Sequence, residues 1–147
     1  LTGGRRNEIT FAKWEYIDWE RNTLLVPVSK TGKPRLITLN VEAIELLRSV
    51  PRLDNNPFVF ASPTTGRPSS SLHFPWRRIK KRAHLELRLH DLRHTFASLL
   101  VNHGKELYTV QKLLGHINYK STQRYAHLSY DTLSDAVEIV GKIFSDL

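Results

Sequence analysis

HDLRHTFASLLVNHG, residues 90–104, is the stretch on which the reading of this chain turns. From Asp91 onward Leu92, Phe96, Leu99 and Leu100 recur at helical spacing until Gly104, a residue suited to the left-handed backbone that ends a helix. The stretch therefore predicts a helix, with Phe96, Leu99 and Leu100 in the core. Downstream the pattern repeats. Thr109 or its neighbour starts a short helix with Val110, Leu113 and Leu114 inward and Gly115 at its end, and Ser121 through Leu128 forms another. Thr132 through Phe144 forms a last one, with Leu133, Ala136, Val137, Val140 and Phe144 along one side. Upstream, Ser70 or Ser71 opens a helix reaching Ala83, with Pro75 tolerated near its first turn.

The first sixty residues read differently. Asn7 to Ile17 carries a modest helical signal after Gly3-Gly4. Thr23 to Val28 and Arg35 to Leu39 are strand-like runs, joined by Ser29-Lys30-Thr31-Gly32-Lys33-Pro34, a turn that closes an antiparallel hairpin. Asn40 can cap a helix through Ala43, Ile44, Leu46 and Leu47 that stops before Pro51, and Phe58 to Phe60 is the expected third strand. Ser62 to Ser71 is a surface loop, and Trp14, Trp19 and Trp76 are core or boundary residues. The fold class is mainly α with a small antiparallel three-stranded sheet (α+β), one domain over residues 1–147.

Lys and Arg total 22 against 14 Asp and Glu, a net charge of +8. A surplus of that size attracts polyanions by releasing their condensed counterions, which makes nucleic acid the leading partner. The charge is segregated. Arg77, Arg78, Lys80, Lys81 and Arg82 cluster beside Trp76, whereas Asp131 to Leu147 carries Asp131, Asp135, Glu138 and Asp146 against Lys142 alone. The absence of cysteine excludes disulfides and Cys-based zinc sites, and no segment approaches a membrane span. Leu1 is not an initiator and methionine is absent, so the expectation is a piece of a longer protein.

His90-Asp91-Leu92-Arg93-His94-Thr95 is followed by Leu114-Gly115-His116 and by Arg124-Tyr125-Ala126-His127. Thr2-Gly3-Gly4-Arg5-Arg6-Asn7-Glu8 and a lysine in a hairpin tip precede them. In this order and spacing, these pieces resemble the tyrosine recombinase (phage integrase) family over essentially the whole chain. The resemblance implies the catalytic-domain fold of that family. It also implies site-specific DNA cleavage and rejoining through a 3′-phosphotyrosine, for integration or excision, in a phage or other mobile element. The partner it implies is double-stranded DNA, handled by a cytoplasmic, nucleoid-associated homotetramer with no membrane. An N-terminal DNA-binding domain would precede Leu1, and the segment from Asp131 would pack on a neighbouring protomer or back on its own.

Chemistry explains the grouping. A phosphodiester's charge repels an oxygen nucleophile, and two guanidiniums can neutralise it with paired N–H donors. Arg5 and Arg93 match the family's two arginines, and Glu8 sets the register that selects Arg5 over Arg6. Tyr125 matches the nucleophile. A phenol with a pKa of about 10 needs help losing its proton. By resemblance His90 is the base, His116 hydrogen-bonds a non-bridging oxygen, and Lys30 protonates the departing 5′ oxygen, with Lys33 as a nearby competitor. Glu8 is, by resemblance, a carboxylate that holds an active-site group in place. The resemblance implies no metal and no cofactor. The basic run Arg77, Arg78, Lys80, Lys81 and Arg82, together with Lys33, is expected to meet DNA phosphates.

Three other readings compete. His90 and His94 stand at a spacing that can bind zinc, with His84, His103, His116 or His127 as a third ligand, but the intervening residues lack the usual glutamate. A non-catalytic DNA-binding module, such as a decayed integrase or a regulator, would share the basic surface without needing Tyr125. A type IB topoisomerase would share the chemistry. Gly4 departs from the family's larger apolar residue, which predicts looser packing behind Arg5.

Overall fold

The computed structural model describes residues 1–30, 32–68, 71–116, 118 and 120–126. The helix expected over Thr132–Phe144, the acidic stretch from Asp131, His127 and the end of the 121–128 segment lie outside the described residues. The chain divides into two compact units, Leu1–His94 and Thr95–Leu147.

The first unit holds α1 (Arg6–Thr10), a 3-10 turn (Trp14–Tyr16), β1 (Ile17–Asp18), β2 (Thr23–Val26), β3 (Arg35–Thr38), α2 (Val41–Ser49) and α3 (His73–Ala83). The strands form an antiparallel sheet in the order β1-β2-β3. Its register follows the period-two rule: Leu24 faces Ile37, both buried, while Leu25 faces Leu36, both exposed. Asn40 caps α2 as expected, its side-chain oxygen accepting the Ala43 amide at 3.0 Å. That cap sets Ala43, Ile44 and Leu47 onto Leu24, Val26, Ile37 and Leu39, and each of the Val, Leu and Ile side chains contributes about 2 kcal/mol on burial.

Two expectations fail here. The third strand is Ile17–Asp18, not Phe58–Phe60, and Phe58 makes only an isolated bridge to Lys13. The cause is a local turn: Asp18 Oδ1 accepts the amides of Glu20 at 3.0 Å and Arg21 at 2.8 Å. Asn22 then takes a left-handed φ of 51°, which folds Ile17–Asp18 back on Thr23–Leu24. The first helix stops at Thr10 rather than reaching Ile17. Beyond it, backbone groups bond the 57–59 segment, Trp14 N–H to Pro57 and Val59 N–H to Ala12, both at 2.9 Å.

α4 (Asp91–Asn102) crosses the division between the units, and the second unit continues with α5 (Leu107–Leu114) and α6 (Lys120–Gln123). Gly104 (φ 72°) and Gly115 (φ 61°) end α4 and α5 as expected. α5 starts at Leu107, slightly ahead of Thr109. The core of this unit gathers Ala97, Val101, Val110, Leu114 and Tyr125, with Phe96, Leu100 and Leu107 against it. Leu99 is a correction. It is 54% exposed, because the inward stripe of α4 is centred on Ala97 and Val101, four residues apart. Among the described residues, no helix is long and apolar enough to cross a membrane.

Candidate active site

Arg5 stands at the start of α1 in extended backbone (φ −72°, ψ 148°). Glu8, one turn on, accepts the Arg5 amide at 2.8 Å and the Arg5 guanidinium at 2.9 Å. Arg35, on β3, reaches the same carboxylate with a fork, Nε to Oε1 at 3.1 Å and Nη2 to Oε2 at 2.7 Å. The Glu8 side chain is only 5% exposed. Burial pushes its carboxyl up. The hydrogen bonds from Arg35 and Arg5 and the charge of Arg35 outweigh that and hold it below the usual carboxylate range. Gly4, beside Arg5, is tightly packed rather than loose: a Cβ there would lie 2.8 Å from Ile9 Cδ1 and 3.3 Å from Ile37 Cδ1.

Lys30 sits in the hairpin tip after β2. The Gly32 amide bonds the Ser29 carbonyl at 3.0 Å, and Gly32 holds φ at +75°, the left-handed region where glycine is strain-free. Arg5, Arg6, Asn7, Glu8, Lys30 and His90 share the lining of a cleft of about 600 Å³ with Phe11 and Val28. Lys33 is exposed at the tip but does not line that cleft.

His90 lies in the tight turn that leads into α4. Asp91 accepts the Arg88 amide at 2.8 Å and takes the Arg88 guanidinium through Nη2 at 2.8 Å and Nε at 3.1 Å. The Arg93 amide bonds the His90 carbonyl at 3.1 Å, so both residues belong to one turn. Arg93 is 6% exposed, and its Nη1 donates to the carbonyl of Gly3, two residues before Arg5. The structure thus gathers Arg5, Glu8, Lys30 and His90 on one cleft and ties Arg93 to the segment that carries Arg5. His90 and His94 pack edge to face, ring centroids 5.0 Å apart. Among the described residues, no three His, Cys, Asp or Glu side chains group as a metal set.

In the second unit, His116 follows Gly115. Gln111 brackets it, accepting the His116 amide at its backbone carbonyl (3.1 Å) and donating Nε2 to the His116 carbonyl (3.1 Å). His116 Nδ1 lies 2.9 Å from the hydroxyl of Thr122, a fully buried side chain on α6. The Tyr125 amide bonds the Thr122 carbonyl at 3.0 Å, so Thr122 links the imidazole to the tyrosine backbone. Tyr125 is 6% exposed, with its ring in the core of this unit.

α3 carries Arg77, Arg78, Lys80, Lys81 and Arg82 and buries none of its residues. Trp76 anchors it by donating Nε1 to the Leu87 carbonyl at 3.0 Å. None of these five cations lines the cleft described above.

Sequence reading missed Arg35, Arg88, Asp91 and Thr122. A signal existed for Arg35: along β3 it shares the parity of buried Ile37, and a charged residue at an inward strand position demands a partner. For Thr122 there was none short of the fold itself.

A glutamate-braced arginine, a hairpin lysine and a histidine-bearing turn around one cleft, on this α+β scaffold, define a class of protein. The model of the phage integrase family matches residues 1–132, and the chain belongs to that family. It is 36% identical over 135 residues to the tyrosine recombinase XerA of Saccharolobus solfataricus, covering 90% of this chain and 44% of that protein. A crystal structure of XerA recombinase superposes with a TM-score of 0.72 at 28% identity, over 92% of this chain and 52% of the other. XerH recombinase bound to palindromic difH DNA in a post-cleavage complex gives 0.71 at 29% identity, over 95% and 43%. The chain spans about half the length of the relatives it matches.

Proposed function

We propose that this chain is the catalytic part of a site-specific recombinase that cuts and rejoins double-stranded DNA through a 3′-phosphotyrosine at Tyr125. In the reaction, Tyr125 Oη attacks the scissile phosphorus as its proton passes toward His90. The bond from phosphorus to the 5′ oxygen breaks, and that oxygen takes a proton from Lys30. Arg5 and Arg93 neutralise the charge that grows on the non-bridging oxygens. If the Thr122 hydroxyl donates to His116 Nδ1, the proton of that imidazole sits on Nε2, the form that donates to a phosphate oxygen. Attack on phosphorus by a 5′ hydroxyl from a different strand reverses the steps and needs no ATP.

The observation that carries this reading is the shared cleft of Arg5, Lys30 and His90, with Arg5 braced by Glu8 and Arg35. That Lys30 lines this cleft and Lys33 does not supports Lys30 over Lys33 as the general acid. The guanidiniums supply the charge a metal would supply elsewhere, which makes the chemistry metal-independent. The cations of α3 and Lys33 contact DNA phosphates, and the full protein acts as a homotetramer on two sites in the cytoplasm, on the nucleoid. A nicked suicide duplex carrying the recombination site tests the core of the reading. The expected result is protein that stays on DNA after denaturation in the presence of a chelator, lost in Tyr125→Phe. A protein that binds the duplex but never becomes covalently attached is the non-catalytic module instead.

A further inference from the structure

Arg6 takes no part in the reaction above, yet it lines the same cleft as Arg5, Lys30 and His90. Its Nε donates to Asn7 Oδ1 at 3.0 Å, the one hydrogen bond of this exposed guanidinium among the described residues. Of the charged residues lining the cleft, Arg5, Arg6 and Lys30 set three positive charges against the one carboxylate of Glu8. Arg5 is held by Glu8 and Lys30 is spent on the leaving oxygen, whereas the charge of Arg6 is answered neither by the Glu8 carboxylate nor by a role at the scissile phosphate. The cleft, at about 600 Å³, also has room beyond one phosphate, and its exposed apolar residues Phe11 and Val28 offer carbon surface where a sugar would run.

We infer that the cleft takes two consecutive phosphates of one DNA strand, the second bound by Arg6, whose guanidinium Asn7 orients for it. The inference rests on the DNA-cleaving reading above and adds a phosphate contact to it. Arginine suits the role because its planar fork can meet two phosphate oxygens at once.

The test is the salt dependence of duplex binding by the full chain. Each phosphate contact releases condensed counterions and contributes about 0.9 to the slope of log K against log salt. Arg6→Ala and Arg6→Gln are expected to lower the slope by about 0.9, while Arg6→Lys keeps it. Arg21→Ala serves as control, because Arg21 is 85% exposed and does not line the cleft. A slope unchanged in both Arg6→Ala and Arg6→Gln overturns the inference, as does a loss of the same size in Arg21→Ala. The suicide-duplex trap on the unaltered chain separates the two levels. An unchanged slope with an intact covalent trap removes the Arg6 contact alone, whereas failure of the trap removes the reading beneath it.

Discussion

The starts of α1 and α4 are built on the same device. In each, an arginine lies three residues before an acid, and the carboxylate takes both the arginine's backbone amide and its guanidinium: Arg5 with Glu8, Arg88 with Asp91. The two differ in depth. The Glu8 side chain is 5% exposed and shared by a second guanidinium, Arg35, from a strand 27 residues away. The Asp91 side chain is 23% exposed, and its arginine is 82% exposed. The first device joins two elements in a desolvated setting, where an unpaired charge is costly; the second shapes one turn at the water boundary, where ion pairs contribute little. Equal hydrogen-bond lengths therefore conceal unequal energies, and each substitution below tests that inequality.

The largest effect is expected for Glu8→Ala. It strands Arg5 and Arg35 without their shared acceptor and should cost about 3 kcal/mol in a urea or thermal unfolding experiment. It should also reduce covalent complex formation, because Arg5 loses the carboxylate that aims it. A loss no greater than that of Asp91→Ala would erase the distinction between the two turns.

Acid titration sharpens it next. The Glu8 carboxyl is held below its ordinary value of 4.5, so the folded state binds the proton less readily than the unfolded chain. Its contribution to stability is thus complete above that ordinary value and drains away as the pH falls through the lower, folded value. The stability gap between the native chain and Glu8→Gln should be flat from neutral pH to about 5 and narrow below it. Asp91 is lowered too, by the hydrogen bonds of the Arg88 side chain and amide, so Asp91→Asn should show the same sign with a smaller amplitude. A gap that widens on acidification would reverse the argument.

How much of this was legible beforehand depends on distance along the chain. Local signals carried Gly104 and Gly115 to their left-handed helix ends and Asn40 to its cap, because each acts within a few residues. The hairpin of β2 and β3 was read from its turn, and with it the place of Lys30. The motif residues at Arg5, Glu8, Lys30 and His90 were named in advance and do share a cleft. The errors lie where an unread turn, small side chains or longer-range partners decide. Phe58–Phe60 has strand-like residues, but the Asp18 turn gives the sheet edge to Ile17–Asp18. Leu99 fits a helical stripe, yet Ala97 and Val101 define the buried face, and alanine is a weak signal of burial. Arg35 was overlooked because the acid that needs it lies across the fold.

Asp91→Ala comes next in size, with a stability loss well below that for Glu8→Ala, since it removes the acceptor of the Arg88 amide but strands no buried cation. Its informative readout is covalent complex formation against pH, which should fall more than stability does if the turn aims His90. Equal losses in both would make Asp91 merely structural.

The smallest effect is expected for Arg88→Ala, and it is the most discriminating. The substitution removes the exposed guanidinium but keeps the backbone amide that Asp91 also accepts, so the carboxylate still closes the turn ahead of His90 and Arg93. If the amide bond is what shapes this turn, Arg88→Ala should leave the unfolding midpoint nearly unmoved, and raising the salt should leave the native chain nearly unmoved as well, because an exposed pair is already screened. Removing the guanidinium that the other carboxylate recruits from β3, Arg35→Ala, should be plainly destabilising, since it leaves Glu8 buried with one guanidinium instead of two. Comparable losses from Arg88→Ala and Arg35→Ala would mean that burial does not separate the two devices.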